Sequence, residues 1–191
     1  MKKMVCLILA VCCVAGALIG CGSGEAGLTD LTEEDFMPYQ NGEPVKELME
    51  ESDSTYSVEI TEENDQGYET SRGIKLGSTF EEVLEAYPNI QEWSVIDDTT
   101  NMNVETKNRE YLVELLEQLE QGMRNIESLG LTCVEENGKY YAMCNEEFAK
   151  WYNEKYKENT DKLWSIGSTH LNIFFDDNAK VEELHISIRK I

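Results

Sequence analysis

The sequence predicts an α+β domain, a small antiparallel sheet with amphipathic helices packed on one face. Three observations predict it. Asn137-Gly138 lies between two apolar–polar alternating runs, the strongest short hairpin signal. Ser78-Thr79-Phe80-Glu81 opens a helical pattern with a capping box, Ser78 and Glu81 satisfying each other's backbone N–H groups. The chain closes on a second pair of alternating runs, Leu163 to Ile191, about a tight turn at Asp176 to Ala179.

The elements follow in order. Lys2 and Lys3 make a basic start, and Met4 to Ile19 carries no charge. Basic start plus apolar run is the signature of a secretory signal, here residues 1–20. The run falls a little short of the ~20 apolar residues a spanning helix needs. It ends at Leu18-Ile19-Gly20-Cys21, which resembles the bacterial lipobox. The resemblance implies a diacylglyceryl group on the Cys21 thiol and removal of the signal. It places the mature chain on the extracytoplasmic face of a cell membrane, with the membrane as partner through lipid. An uncleaved anchor helix is the alternative, and it too leaves the bulk of the chain outside. Each buried methylene is worth about 0.8 kcal/mol, and stable attachment takes two or more acyl chains.

Residues 21–54 are small, polar and acidic, with Gly22, Gly24 and Gly27 early, and read as a flexible lipidated tether. Short turns interrupt it where Thr32 to Asp35 fits a capping pattern and where Pro44 starts a turn towards Met49. The domain is then 55–191. Tyr56, Val58 and Ile60 alternate with polar residues as a half-buried strand, with Gly67 to Ile74 as its expected partner. Phe80, Val83, Leu84 and Tyr87 share one helix face, and Pro88 ends that helix. Trp93 to Ile96 reads as a strand. Val104 to Leu129 reads as the longest helix, because Leu112, Leu115, Leu116, Leu119, Met123 and Ile126 form an apolar stripe. Gly130 is its expected stop. Leu131 to Glu136 and Lys139 to Cys144 flank the hairpin turn. Asn145 caps a further helix to about Glu158. The stretch 101–162 thus reads as a helix–hairpin–helix insertion.

Charge narrows the partners. There are 38 acidic residues and 16 basic ones, a formal net charge of −22, and loss of Lys2 and Lys3 makes it two units more negative. Nucleic acid is excluded as a partner in this reading, since phosphate contacts need a basic face. The chain has six cysteines; three leave with the signal and Cys21 takes lipid. Cys133 and Cys144 remain as a possible disulfide outside the cell. With a two-residue turn they sit diagonally, which disfavours a bond; with a four-residue loop they oppose each other.

Arg72-Gly73-Ile74-Lys75-Leu76-Gly77-Ser78-Thr79-Phe80-Glu81-Glu82-Val83, with the closing strands Leu171 to Phe175 and Val181 to Ile188, resembles the BamE/SmpA-type lipoprotein domain and the halves of β-lactamase inhibitor protein. The likeness spans roughly 70–97 and 163–190, about a third of the chain. It implies helices on one side of a small antiparallel sheet, and protein binding rather than catalysis.

Little else carries chemistry. If the last turn has two residues or four, His170 lies across from His185, and with Glu183 the pair could hold a divalent metal on neutral imidazoles. The competing reading is a solvent-facing polar pair without a ligand. Acidic pairs such as Asp97-Asp98 and Glu182-Glu183 lack the spacing of a calcium loop and read as solvated faces. No Gly-x-Ser-x-Gly elbow, P-loop, His-Glu-x-x-His or dinucleotide fingerprint occurs, so no catalytic residue and no cofactor is expected. The sequence therefore favours a membrane-anchored, extracytoplasmic, non-catalytic binding module. The alternatives are a cell-surface hydrolase using carboxylates or a metal, and a lipoprotein that captures cations or small ligands.

Overall fold

A computed structural model describes residues 28–88, 93–97, 103–106, 114–115, 117–119, 121, 126–142, 150, 152–155, 157 and 168–190, with backbone alone for 93–97 and 103–106. The signal 1–20, Cys21, Cys144 and much of the helix expected from Asn145 lie outside them.

The fold is mixed, with a mostly antiparallel sheet and few helices. A two-stranded ribbon pairs β1 (Tyr39–Gln40) with β2 (Glu43–Pro44). An eight-stranded sheet contains β3 (Glu50–Glu51), β4 (Thr55–Ile60), β5 (Trp93–Asp97), β6 (Asn103–Thr106), β7 (Ile126–Glu136), β8 (Lys139–Ala142), β9 (Thr169–Phe175) and β10 (Val181–Arg189). Its order is β3-β4-β10-β9-β7-β5-β6, and β8 also pairs with β7. Cys133 pairs with Thr169 on one flank of β7 and with Ala142 on the other. Strands β5 and β8 therefore lie end to end along the same flank of β7.

Strand alternation sorts the sheet into two faces. One carries Val58, Ile60, Leu129, Leu131, Cys133, Leu171, Ile173, Leu184 and Ile186, all buried in the main core. Helix α1 (Phe80–Ala86) covers this face with Phe80, Val83 and Leu84. Helical residue Leu115 joins the same core, and Leu119 packs against it. The expectation of helices on one face only needs correction. Val134 and Tyr141 lie on the opposite face, and Tyr152, from the helical residues 152–155, packs against them.

Three further expectations are corrected. The tether was expected to reach residue 54, but Leu31, Phe36 and Met49 are buried in the core. Phe36 has no exposure and stacks on Tyr140 with ring centroids 5.1 Å apart. Acidic composition concealed three well-spaced apolar anchors. Second, the helix expected over Val104 to Leu129 is strand at both ends, in β6 and β7, with helical residues only between. Its apolar stripe merged the helix around Leu115 with the half-buried strand Ile126, Leu129, Leu131. The helix–hairpin–helix stretch 101–162 is thus corrected at its first helix, and β7 sits inside the sheet between β9 and β5. Third, the partner of β4 is β10, with β3 at its other edge, rather than Gly67 to Ile74.

The Asn137-Gly138 turn is as expected, both residues at positive φ (55° and 77°). The capping box is one residue late. Thr79 caps α1, its hydroxyl accepting from the Glu82 N–H at 3.2 Å while Glu82 accepts from the Thr79 N–H at 2.8 Å. Gly77 and Ser78 instead bond to Val181, and Phe80 N–H donates to the Ala179 carbonyl, fastening the helix start to the β9–β10 turn. Among the described residues no helix is long and apolar enough to cross a membrane.

Candidate functional site

The face of the sheet opposite the main core is polar across its middle. The register sets Glu59, His185, Asn172 and Gly130 in one row across β4, β10, β9 and β7. Ser57, Ser187, His170 and Thr132 form the next row. All are half-buried except Glu59, which is exposed.

His170 and His185 share this face, as the sequence indicates, but the expected opposition is corrected. Residues Asp177, Asn178 and Ala179 make a three-residue loop closed by the Asp176 and Lys180 backbones, with Ala179 at φ 54°. A bulge between Val181 and Glu183 adds a second residue to β10. Each addition slides β10 by one position. His170 therefore faces Ser187, and His185 faces Asn172.

The two imidazoles have different surroundings. His185 Nε2 lies 3.0 Å from Glu183 Oε2, and its ring centroid is 4.5 Å from that of Phe174. His170 has hydroxyls on both nitrogens: Ser168 Oγ is 2.7 Å from Nε2 and Thr132 Oγ1 is 3.1 Å from Nδ1. Burial holds the His170 pKa below its ordinary 6.5. The ring is therefore neutral at pH 7, and both its nitrogens are engaged. Glu183 and His185 meet, but His170 does not join them. Among the described residues no three His, Cys, Asp or Glu side chains gather as a metal site would require.

A second polar cluster lies beside the main core and was missed as a site from sequence. Asp35, 4% exposed, sits in a 3-10 turn spanning Glu33–Phe36. Arg72 Nε donates to its Oδ1 at 2.6 Å, Ser71 Oγ to the same oxygen at 3.0 Å, and the Thr32 N–H to Oδ2 at 2.9 Å. Arg72 also donates to the Ala86 carbonyl at the end of α1 and lies 4.8 Å from the Tyr87 ring centroid. Burial lowers the guanidinium's proton affinity, but Asp35, with Asp30 and Tyr87 beside it, more than offsets this, so its pKa is raised. The Thr32-x-x-Asp35 capping pattern marked the acceptor; nothing in the sequence marked Arg72, 37 residues away. An open groove of about 610 Å³ adjoins it, lined among others by Arg72, Lys75, Glu82 and Glu85. Glu82 is committed to the helix cap and Arg72 to Asp35, so the cluster is a fastener rather than a reactive centre.

Cys133 is buried and pairs with Ala142, the register of the two-residue turn. Cys144, the other half of the possible disulfide, lies outside the described residues, as does the lipidation residue Cys21.

Comparison with known proteins gave no match: no family model, no curated protein and no solved structure aligns significantly with the chain.

Proposed function

We propose that the protein is a lipid-anchored, extracytoplasmic module that binds another protein through the polar face of its sheet and carries out no chemistry of its own. The observation that carries this reading is the pair of rows Glu59–His185–Asn172–Gly130 and Ser57–Ser187–His170–Thr132. Apart from Gly130, these positions on four strands present hydrogen-bonding side chains on one face of the sheet. Such a surface suits a wet, polar protein interface. The Leu18-Ile19-Gly20-Cys21 motif supports the anchor and the location. Backbone hydrogen bonds join Gly77 and the capped α1 to the closing hairpin β9–β10. A photo-crosslinking residue at Asn172 in the full chain, illuminated in its own membranes, should give a discrete protein adduct. The same residue at the exposed Glu81 should give none. Equal labelling from both positions would contradict the assignment of the binding face.

One contact favours a second reading, a cell-surface hydrolase. Ser168 Oγ lies within hydrogen-bond reach of a neutral imidazole, the pairing an activated nucleophile requires. The third member is the Thr132 hydroxyl rather than a carboxylate, which leaves an imidazolium without its stabilising charge. Hydrolysis of a small activated ester that is lost in Ser168→Ala would establish this reading over the first.

A further inference from the structure

We propose that Asn41-Gly42 is a site of spontaneous covalent modification, where the folded chain turns its own asparagine into an aspartyl or isoaspartyl residue, and that Glu135 shields the matching Asn137-Gly138 turn from the same reaction.

The two turns are built alike. Each is a two-residue Asn-Gly loop between antiparallel strands, β1 to β2 and β7 to β8. The asparagines have φ 52° and 55°, the glycines φ 81° and 77°, and all four residues are exposed. Beyond its chain neighbours, neither glycine has a heavy atom within 4 Å of where a Cβ would stand, so the space around both nitrogens is open.

The reaction needs no partner but water. The Gly42 nitrogen gives its proton to hydroxide and attacks Asn41 Cγ. A nitrogen–Cγ bond forms, the Cγ–Nδ2 bond breaks, and Nδ2 leaves as ammonia. Water then opens the five-membered imide at either carbonyl. One product is aspartyl; the other is isoaspartyl, with one more methylene in the main chain. Glycine favours ring closure, because no side chain crowds its nitrogen and its backbone turns freely.

Two features separate the turns. The first is the acceptor. Gly138 N–H donates to Glu135 Oε1. That bond must break before the nitrogen can turn on Asn137, and the carboxylate's charge opposes loss of the amide proton beside it. The Gly42 N–H has no acceptor among the described residues. The second is the frame. Strand β7 runs from Ile126 to Glu136 inside the eight-stranded sheet, whereas β1 and β2 have two residues each and stand outside that sheet. Imide closure takes the asparagine out of its turn conformation, and so short a ribbon opens at lower cost than a sheet hairpin.

The change falls on the segment that enters the core. The β1–β2 ribbon lies between the buried anchors Phe36 and Met49. An isoaspartyl residue at position 41 lengthens the main chain of a loop that the Tyr39–Pro44 and Gln40–Glu43 pairs hold at two residues.

Peptide mass spectrometry of the full chain, aged at mildly alkaline pH, tests this. In the folded chain position 41 should convert from amide to acid roughly fivefold or more faster than position 137. In strong urea the two rates should agree within about twofold, because structure no longer separates them. Glu135→Ala should speed position 137 in the folded chain and leave position 41 unchanged. Equal rates in the folded chain, a fivefold gap that persists in urea, or no acceleration at position 137 in Glu135→Ala would overturn the proposal.

Discussion

His170 shows how one side chain registers its environment. Its ring is held neutral by burial, below the ordinary value of 6.5. As pH falls through that value the unfolded chain takes up a proton before the folded one does. The unfolded state then binds more protons, so stability is full above about 6.5 and declines below it. Urea melts from pH 8 to pH 5 should show this decline, and His170→Gln should flatten it. A decline of unchanged slope in the variant would place the sensitivity elsewhere. Arg72 makes the complementary case for a fixed charge. Asp35 is buried and accepts from Arg72, Ser71 and Thr32. Arg72→Ala leaves that carboxylate without its counter-charge and should cost about 3 kcal/mol in denaturant unfolding, since breaking a buried pair costs more than the pair contributes. Arg72→Leu with Asp35→Leu should recover part of the loss; recovery of none would point to lost packing over Tyr87.

At the scale of elements, legibility followed how local the determining interaction is. The Asn137-Gly138 hairpin depends on two adjacent residues at positive φ, and it was placed correctly. Helix α1 depends on one cap and one apolar face, and it was placed correctly but for one residue of cap register. The histidine face was also legible, because period-two alternation needs only the strand itself. The row within that face was not, because it depends on an alanine in the left-handed region and on a bulge, neither of which has a sequence signature here. Ala179 at φ 54° is strained relative to glycine. Ala179→Gly should therefore stabilise the fold by about 0.5–1 kcal/mol, the relief of strain exceeding the added freedom of the unfolded chain. A lower melting temperature in the variant would mean that the loop holds Ala179 by its methyl group. The stretch Val104 to Leu129 failed for a different reason. Leu115 and Ile126 belong to one core from two kinds of element, and an apolar stripe read along the chain cannot separate them.

At the scale of the molecule, β4 pairs with β10 and β7 with β9 and β5, segments remote in sequence, so sheet order was the least legible feature. So was the role of residues 28–51. These carry Leu31, Phe36 and Met49 into the main core, at about 1.5–3 kcal/mol for each large apolar side chain buried. A soluble body starting at Leu28 should unfold cooperatively. One starting at Ser52 should be several kcal/mol less stable and should expose apolar surface to a hydrophobic dye. Equal stability of the two would return the segment to the role of a tether.

Intact mass of the protein extracted from membranes with detergent tests the lipid anchor on Cys21 most directly. The account predicts a chain beginning at Cys21, heavier than its peptide mass by a diacylglyceryl group. A chain retaining Met1, or one starting at Cys21 with no added lipid, would contradict it.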